Sequence, residues 1–511
     1  MAKNRKIKDT NKINVPKTPQ ELKLEGVQNL YNFLFEACNI IRGPVSQDNF
    51  KDYITPILYY KRINDVYDEE TQDALEESGG DEEYASLPEQ HRFVIPEGCH
   101  WQEVRERTEN LGAAIVGAMR GIELANPDTL YGVLSIFSSQ KWTDKKNLSD
   151  GKIRDLIEHL STRKLGNKDY PTDLMGDAYE ILLKKFADDS KAKAGEFYTP
   201  RSVVQLLIRI LDPRPGETVY DPACGSGGML IEAVHHMNHS SLCCGSIFGQ
   251  EKNVTNAAIA KMNLFLHGAS DFIIMQGDTL RNPKILQGGE VAKFDCVIAN
   301  PPFSLDKWGA VEWSSDKYGR NIWGTPSDSC GDYAWIQHMI ASMSPGTGRM
   351  AVVMPQGVLF RGNEEGRIRE KLVKSDMVEA VVTLGEKLFY GAGISPCFLI
   401  LRKIKPAAHS ARILMIDGSK ILTQKRAQNI LEQKDVERLY ELYSNYENVE
   451  DFSQVVTLDE IKAKDFDLSP NKYVQYHREA IKPYSEVLAE FKAAYEEVKF
   501  REAEFRRIIN A

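Results

Sequence analysis

The tetrapeptide Asn300-Pro301-Pro302-Phe303 closes a β-branched run, Phe294–Ala299, and each of its residue types has a chemical use. Proline carries no N–H, so a turn built on two prolines presents acceptors without competing donors. The Asn300 side-chain oxygen and the Pro301 carbonyl can then accept together from one exocyclic amino group. The lone pair of such a nitrogen is delocalised into its ring. Two acceptors on its hydrogens polarise it toward a usable nucleophile. Phe303 offers a flat face on which an extruded base can stack. Taken alone, the segment could equally be a Pro-Pro turn that ends a strand.

A second segment, Asp221-Pro222-Ala223-Cys224-Gly225-Ser226-Gly227-Gly228, follows a short strand and precedes a helix. Gly225, Gly227 and Gly228 allow a sharp turn and a close approach of backbone to ligand. The spacing is neither GxGxxG nor a Walker loop. Asp221, at the strand end, suits a ligand carrying an ammonium group. Glu251 ends the next strand, where an acidic side chain can accept from both ribose hydroxyls of a nucleoside. Asp278, in Gly277-Asp278-Thr279, ends the third strand and could accept from an adenine amino group. Taken singly, Glu251 reads as a charged helix start and Asp278 as a cap or turn. His235 and His239, followed by Cys243-Cys244, have a spacing that can ligate zinc. The paired-cysteine knuckle is missing, and no metal is expected.

These residues need a scaffold. Strand-like runs at Thr218–Tyr220, Ser246–Gly249, Phe272–Met275, Phe294–Ala299, Met350–Met354, Val378–Thr383 and Phe398–Leu401 alternate with helical ones at Met229–His236, Asn253–His267, Tyr333–Ser342 and Glu364–Lys374. That alternation predicts a mostly parallel, doubly wound α/β sheet, with ligands at the carboxyl ends of its strands. Before Tyr170 nothing alternates like a sheet, and the pattern predicts helices from Glu21 to Ile41, from Phe50 to Ile63 and across 101–165. Residues 68–83 hold nine acidic and no basic residues and read as a solvated loop, a DNA-mimicking role being the less favoured reading. After about Lys420 the chain reads as helical and charged. Ile481, Tyr484, Leu488, Phe491, Tyr495, Val498, Phe505 and Ile509 step by three and four, which predicts a helix that pairs with another helix or packs back on its own domain. The expected division is a disordered tail (1–18), a helical N-terminal domain (19–165), a Rossmann-like α/β domain (166–420) and a helical C-terminal region (421–511).

Composition narrows the field. The chain has 511 residues with 64 Lys plus Arg against 73 Asp plus Glu, a net charge of −9, so bulk positive charge is not how it would hold nucleic acid. No apolar run reaches membrane-spanning length. Scattered cysteines and a polar, basic start without an apolar stretch behind it predict reduced thiols in a cytoplasm.

Together the motifs resemble the amino-methyltransferases that use S-adenosylmethionine. Asp221–Gly228 looks like their cofactor loop and Asn300–Phe303 like their catalytic loop. Gly195-Glu196-Phe197-Tyr198-Thr199-Pro200 resembles the segment that covers the methionine part of the cofactor in the γ-ordered adenine methyltransferases. The likeness is closest to the modification subunits of type I restriction–modification systems. It is carried by Asp48–Ile54 with Tyr60-Lys61-Arg62, by Asp173–Glu180, by Gly348–Pro355 and by Asp467–Tyr473, and it runs from about residue 20 to the C-terminus. Cys224 and Ser226 stand at variable positions of the cofactor loop, and Phe303 replaces the Tyr of some relatives. The resemblance implies an S-adenosylmethionine-dependent methyltransferase fold and methylation of the adenine N6 in double-stranded DNA. It implies cofactor contacts from Glu196–Pro200, Asp221, Gly225–Gly228, Glu251 and Asp278, and catalytic roles for Asn300–Phe303. About ninety residues follow the α/β domain, too few for a target-reading domain. The implied partners are therefore a separate specificity subunit, a second copy of the chain and, in a cutting system, a restriction subunit. The alternatives are a protein-glutamine amide methyltransferase, which shares the Asn-Pro-Pro-aromatic loop, and a non-catalytic assembly scaffold.

Overall fold

The computed structural model describes residues 19–130, 132–134, 140–189, 199–238, 246–269, 271–389, 395–425, 428–477 and 484–509. Glu196, Phe197, Tyr198, His239, Cys243, Cys244 and Ile481 lie outside them.

Long helices, Pro19–Ile41, Phe50–Ser78, Leu111–Ala125, Asp150–Ser161 and Thr172–Asp189, build the N-terminal part around one apolar core. The shared Tyr60-Lys61-Arg62 segment has a structural use there. The Arg62 guanidinium, almost fully buried, donates to the carbonyls of Gly166 at 2.7 Å and Tyr170 at 2.9 Å and to Asn167 Oδ1 at 2.6 Å. Lys61 pairs with Asp65, whose Oδ2 accepts from the Leu165 amide at 2.6 Å. These bonds satisfy buried charges and tie the loop at 165–170 to the helix.

The acidic stretch differs from the sequence-based expectation. Residues 68–78 continue the helix Phe50–Ser78, which ends only where Gly79 turns left-handed. The carboxylates find partners on neighbouring segments. Glu69 accepts from the amides of Asn167 at 2.6 Å and Lys168 at 3.0 Å, and Glu70 accepts from the Arg92 amide at 3.0 Å. Charge counting cannot see such long-range donors.

The sheet strands are β1 (Val219–Asp221), β2 (Ile247–Glu251), β3 (Phe272–Gln276), a small separate hairpin β4–β5 (Leu286–Gln287, Glu290–Val291), β6 (Cys296–Ala299), β7 (Arg349–Pro355), β8 (Val378–Leu384), β9 (Pro396–Arg402), β10 (Arg412–Gly418) and β11 (Ser453–Thr457). The main sheet has the order β11-β10-β8-β9-β7-β6-β1-β2-β3. Its pairs are parallel except β7·β9, β8·β9 and β10·β11. The doubly wound α/β reading holds, with one antiparallel strand inserted. Four strands were not expected, the hairpin pair β4 and β5 and, in the main sheet, β10 and β11. The sheet therefore runs past residue 420 into the region read as wholly helical. An edge strand of Ser-Gln-Val-Val-Thr with a single fully buried apolar residue, Val456, gives too short an alternation to recognise.

Helix Val254–Leu266 belongs to two cores. Ala258, Ile259, Met262 and Phe265 pack into the N-terminal core, while Ala257, Ala260 and Leu264 pack against the sheet. One helix thus fixes the helical part on the α/β part. Among the described residues no helix is long and apolar enough to cross a membrane.

Candidate active site

The parallel strands share one carboxyl edge, and the loops that leave it carry the polar residues singled out above. After β1 the chain turns through Gly225 (φ +54°) and Gly227 (φ +86°) into helix Gly228–Asn238. Space is open where a Cβ would stand on Gly225. The Gly225 N–H donates to Glu251 Oε2 at 3.0 Å, and the Asn253 N–H donates to Glu251 Oε1 at 2.7 Å. Glu251 thereby braces the glycine turn, and each of its oxygens keeps a lone pair for a further donor. Asp278 Oδ1 accepts from the Arg281 amide at 3.1 Å, and its other oxygen pairs with Lys252 at 2.9 Å. Asp278 is thus both a turn cap and an ion-pair member.

Asp221 is buried, and its Oδ1 accepts from the Ala223 amide at 2.9 Å. Burial pushes its carboxyl up to about 8; the Ala223 N–H opposes this, and the negative charge of Glu251 adds to it. No cation of the protein is paired with it among the described residues. A cationic ligand placed beside it would lower its pKa and restore the carboxylate.

Asn300 follows β6, all four residues of which are buried. Its Nδ2 donates to Thr199 Oγ1 at 2.8 Å. Its Oδ1 is buried and has no partner among the described residues. Pro301 is buried and Pro302 exposed. Phe303 is half-buried, with its ring 6.5 Å from that of Phe389 at an interplanar angle of 57°. The turn is held from behind: the Ser304 amide, at φ +50°, donates to the fully buried Asp332 Oδ1 at 2.7 Å, and Asp332 is paired with Arg361.

One pocket brings Thr199, Asp221, Gly225, Ser226, Gly228 and Asn300 together. Gly227, Glu251, Asp278, Pro200 and Pro301–Phe303 stand outside its lining. Three charged residues that were not among the candidate site residues also line it, Glu180, Arg201 and Glu232. Arg201 lies 3.9 Å from Glu180, 3.6 Å from Glu232 and 3.3 Å from Asp177. Burial holds Glu180 up to about 7 against the pull of Arg201. The sequence signal for them was position alone: Glu180 ends the shared Asp173–Glu180 segment and Arg201 follows Pro200. Of the zinc-spaced set, His235 meets a different partner, its Nε2 lying 3.1 Å from Nδ1 of the buried His267. A separate group, Cys330, Asp332 and Glu365, has ligand atoms within 4.8 Å of one another, but the Arg361 guanidinium is bonded to all three.

The family described as N-6 DNA Methylase matches residues 170–481, and the one described as HsdM N-terminal domain matches residues 30–160. The chain belongs to the N-6 DNA methylase family. It is 30% identical over 487 residues to the methylase subunit of the type I restriction enzyme MjaVIII of Methanocaldococcus jannaschii, covering 90% of this chain and 80% of that one. The MjaVII methylase subunit of the same organism is 36% identical over 333 residues, which are 63% of this chain and 56% of that subunit. Among solved structures, the methyltransferase subunit of a type I restriction-modification system from Streptococcus thermophilus superposes with a TM-score of 0.76 at 26% identity, over 88% of this chain and 100% of that one. The chain is accordingly a DNA methylase of the modification-subunit kind, and its cofactor is S-adenosylmethionine. The pocket fits that cofactor, with an open glycine turn and a buried carboxylate that lacks a cation.

Proposed function

We propose that the chain transfers the methyl group of S-adenosylmethionine to the N6 amino group of adenine in DNA, as the modification subunit of a type I restriction–modification complex. The observation that carries this reading is the buried Oδ1 of Asn300, without a partner among the described residues, on a residue that lines the same pocket as Asp221 and the glycine turn. A buried acceptor without a donor costs about 1–3 kcal/mol, and a target amino group removes that cost.

When bound, S-adenosylmethionine supplies an electrophilic methyl group on a positively charged sulfur. Asp221 meets positive charge on the cofactor, the open turn at Gly225–Gly228 and the hydroxyl of Ser226 hold its polar tail, and Glu251 and Asp278 accept from its ribose and adenine. Glu196–Pro200 cover it. Asn300 Oδ1 and the Pro301 carbonyl accept from the amino group of the target, Pro302 stiffens the turn, and Phe303 stacks on the extruded base. The chemistry is alignment more than proton transfer, so no strongly basic side chain is needed at the amino group. A separate specificity subunit reads the DNA sequence, a second copy completes the modification complex, and a restriction subunit joins it in a system that cuts. The setting is the cytoplasm. The division into 19–165, 166–420 and 421–511 serves these tasks as docking, catalysis and assembly, with β11 as the structural link from the last to the second.

The test is transfer of labelled methyl groups to duplex DNA by the chain with its specificity subunit, followed by identification of the methylated base. N6-methyladenine is the expected product. Label found only in protein would establish the glutamine-amide alternative, and binding without transfer would establish a scaffold.

A further inference from the structure

The sequence places Thr199 in the segment that covers the cofactor, yet its hydroxyl takes a hydrogen bond from the Asn300 amide at 2.8 Å. The two residues are 101 apart in the chain, one just before a helix and the other just after a strand. Thr199 precedes Pro200, the N-cap residue of helix Arg201–Leu211, whose carbonyl accepts from the amides of Val203 and Val204. That helix buries seven of its residues. Asn300 follows β6, which is held between β1 and β7. Neither partner can drift far from the other.

The amide has two chemically opposite ends. With its NH2 taken by Thr199, its oxygen is left for the pocket, and this is the buried atom without a partner. Turned by 180°, it would present N–H groups to a target that is itself an N–H donor. Among the described residues the Thr199 bond is the one hydrogen bond of the Asn300 side chain. The oxygen-inward orientation needs an acceptor for the NH2, and Thr199 is that acceptor.

We propose that Thr199 is a positioning residue for methyl transfer, holding the Asn300 amide with its oxygen toward the target amino group. The proposal rests on the role given to Asn300 above. It links the segment on the cofactor side of the pocket to the acceptor on the other side, and it moves Thr199 from cofactor contact to control of the nucleophile.

Thr199→Val keeps the side-chain shape and removes the acceptor; Thr199→Ser keeps the acceptor. With the full chain, its specificity subunit and a duplex carrying the target, Thr199→Val should lower kcat about tenfold or more. The KM for DNA and the calorimetric Kd for S-adenosylmethionine should stay within about twofold of the parent, which also shows that the variant is folded. Thr199→Ser should recover most of the rate. A Thr199→Val chain with full kcat would overturn the proposal. So would a cofactor affinity that falls in step with the rate, which returns Thr199 to the cofactor. A Thr199→Ser chain as slow as Thr199→Val would assign the loss to packing. Asn300→Ala, measured in parallel, separates the two levels. An inactive Asn300→Ala beside a full-rate Thr199→Val sinks this inference alone, whereas an active Asn300→Ala sinks the functional reading beneath it.

Discussion

Two regions of the chain are unsatisfied in opposite senses. At the carboxyl edge of the sheet a polar atom, Asn300 Oδ1, is buried without a donor, and a carboxyl, Asp221, is buried without a cation, among the described residues. In helix Tyr484–Ile509 no residue is buried, and Phe491, Tyr495, Val498 and Phe505 are each more than half exposed. Hidden polar groups without partners cost free energy, and so do exposed apolar ones in a row. The first region lacks small polar ligands, and the second lacks an apolar surface. The difference separates chemistry from assembly: each region should fail by itself when altered.

The largest expected effect is at Asn300. Asn300→Ala removes the acceptor aimed at the target and should reduce methyl transfer below detection, while the cofactor Kd stays near the parent value. Transfer close to normal would end the assignment. At the other pole, truncation before Ile481 should leave cofactor binding intact and abolish or greatly weaken assembly with the specificity subunit or a second copy, read by analytical ultracentrifugation. If the truncated chain assembles with full affinity, the contrast between the regions is lost and the exposed stripe has no docking role.

A smaller effect belongs to Asp221. A hydrogen bond to a charged group contributes about 1.5–3 kcal/mol, so Asp221→Asn should weaken S-adenosylmethionine binding roughly ten- to a hundredfold. The pH dependence has a definite sign. In the free protein the carboxyl holds its proton up to about pH 8, because burial disfavours the charged form. A cationic ligand binds better to the deprotonated form, so binding expels a proton. Affinity should therefore fall as pH is lowered from 8, by about tenfold per unit at the limit. Calorimetry in buffers of different ionisation enthalpy reads the proton release directly, and the Asn variant should show none. An equal pH slope in both chains would place the titration elsewhere.

The two regions also differ in how far they could be read from residues. The strand before the Asn-Pro-Pro turn was legible because it is short, apolar and closed by that turn: β6 ends at Ala299, immediately before Asn300, where the motif requires it. The helix at the C-terminus was legible from its spacing of three and four, though not whether it would be covered. Long-range acquaintances were not legible. Nothing local to Thr199 points to Asn300, and nothing in Arg201 points to Glu180 and Glu232. The acidic run at 68–78 looked like a loop because its N–H donor partners, at 167–168 and 92, are far away in sequence. β11 escaped notice because it completes the sheet at an edge with few apolar residues. Local patterns determine elements; the contacts between elements that tune chemistry arise only in the folded chain.

Phe303 is the finest test of the comparison, because its ring serves both burial and recognition. It is half-buried, packs against the core under the sheet and lies near Phe389. The rest of the side chain stays partly exposed. Phe303→Ala removes both uses. Stacking on a base is worth about 1–3 kcal/mol, so affinity for DNA with an extruded target should drop by that amount. The packing share can be separated by thermal unfolding without DNA, since lost core contact lowers Tm and lost stacking does not. Phe303→Tyr keeps the ring and places its hydroxyl at the edge, so it should leave both transfer and Tm nearly unchanged. Fluorescence of 2-aminopurine at the target position reports extrusion in each variant. If Ala and Tyr lower transfer equally, the ring's shape matters and its face does not. Phe303 would then belong with the buried scaffold and not with the groups that wait for a ligand.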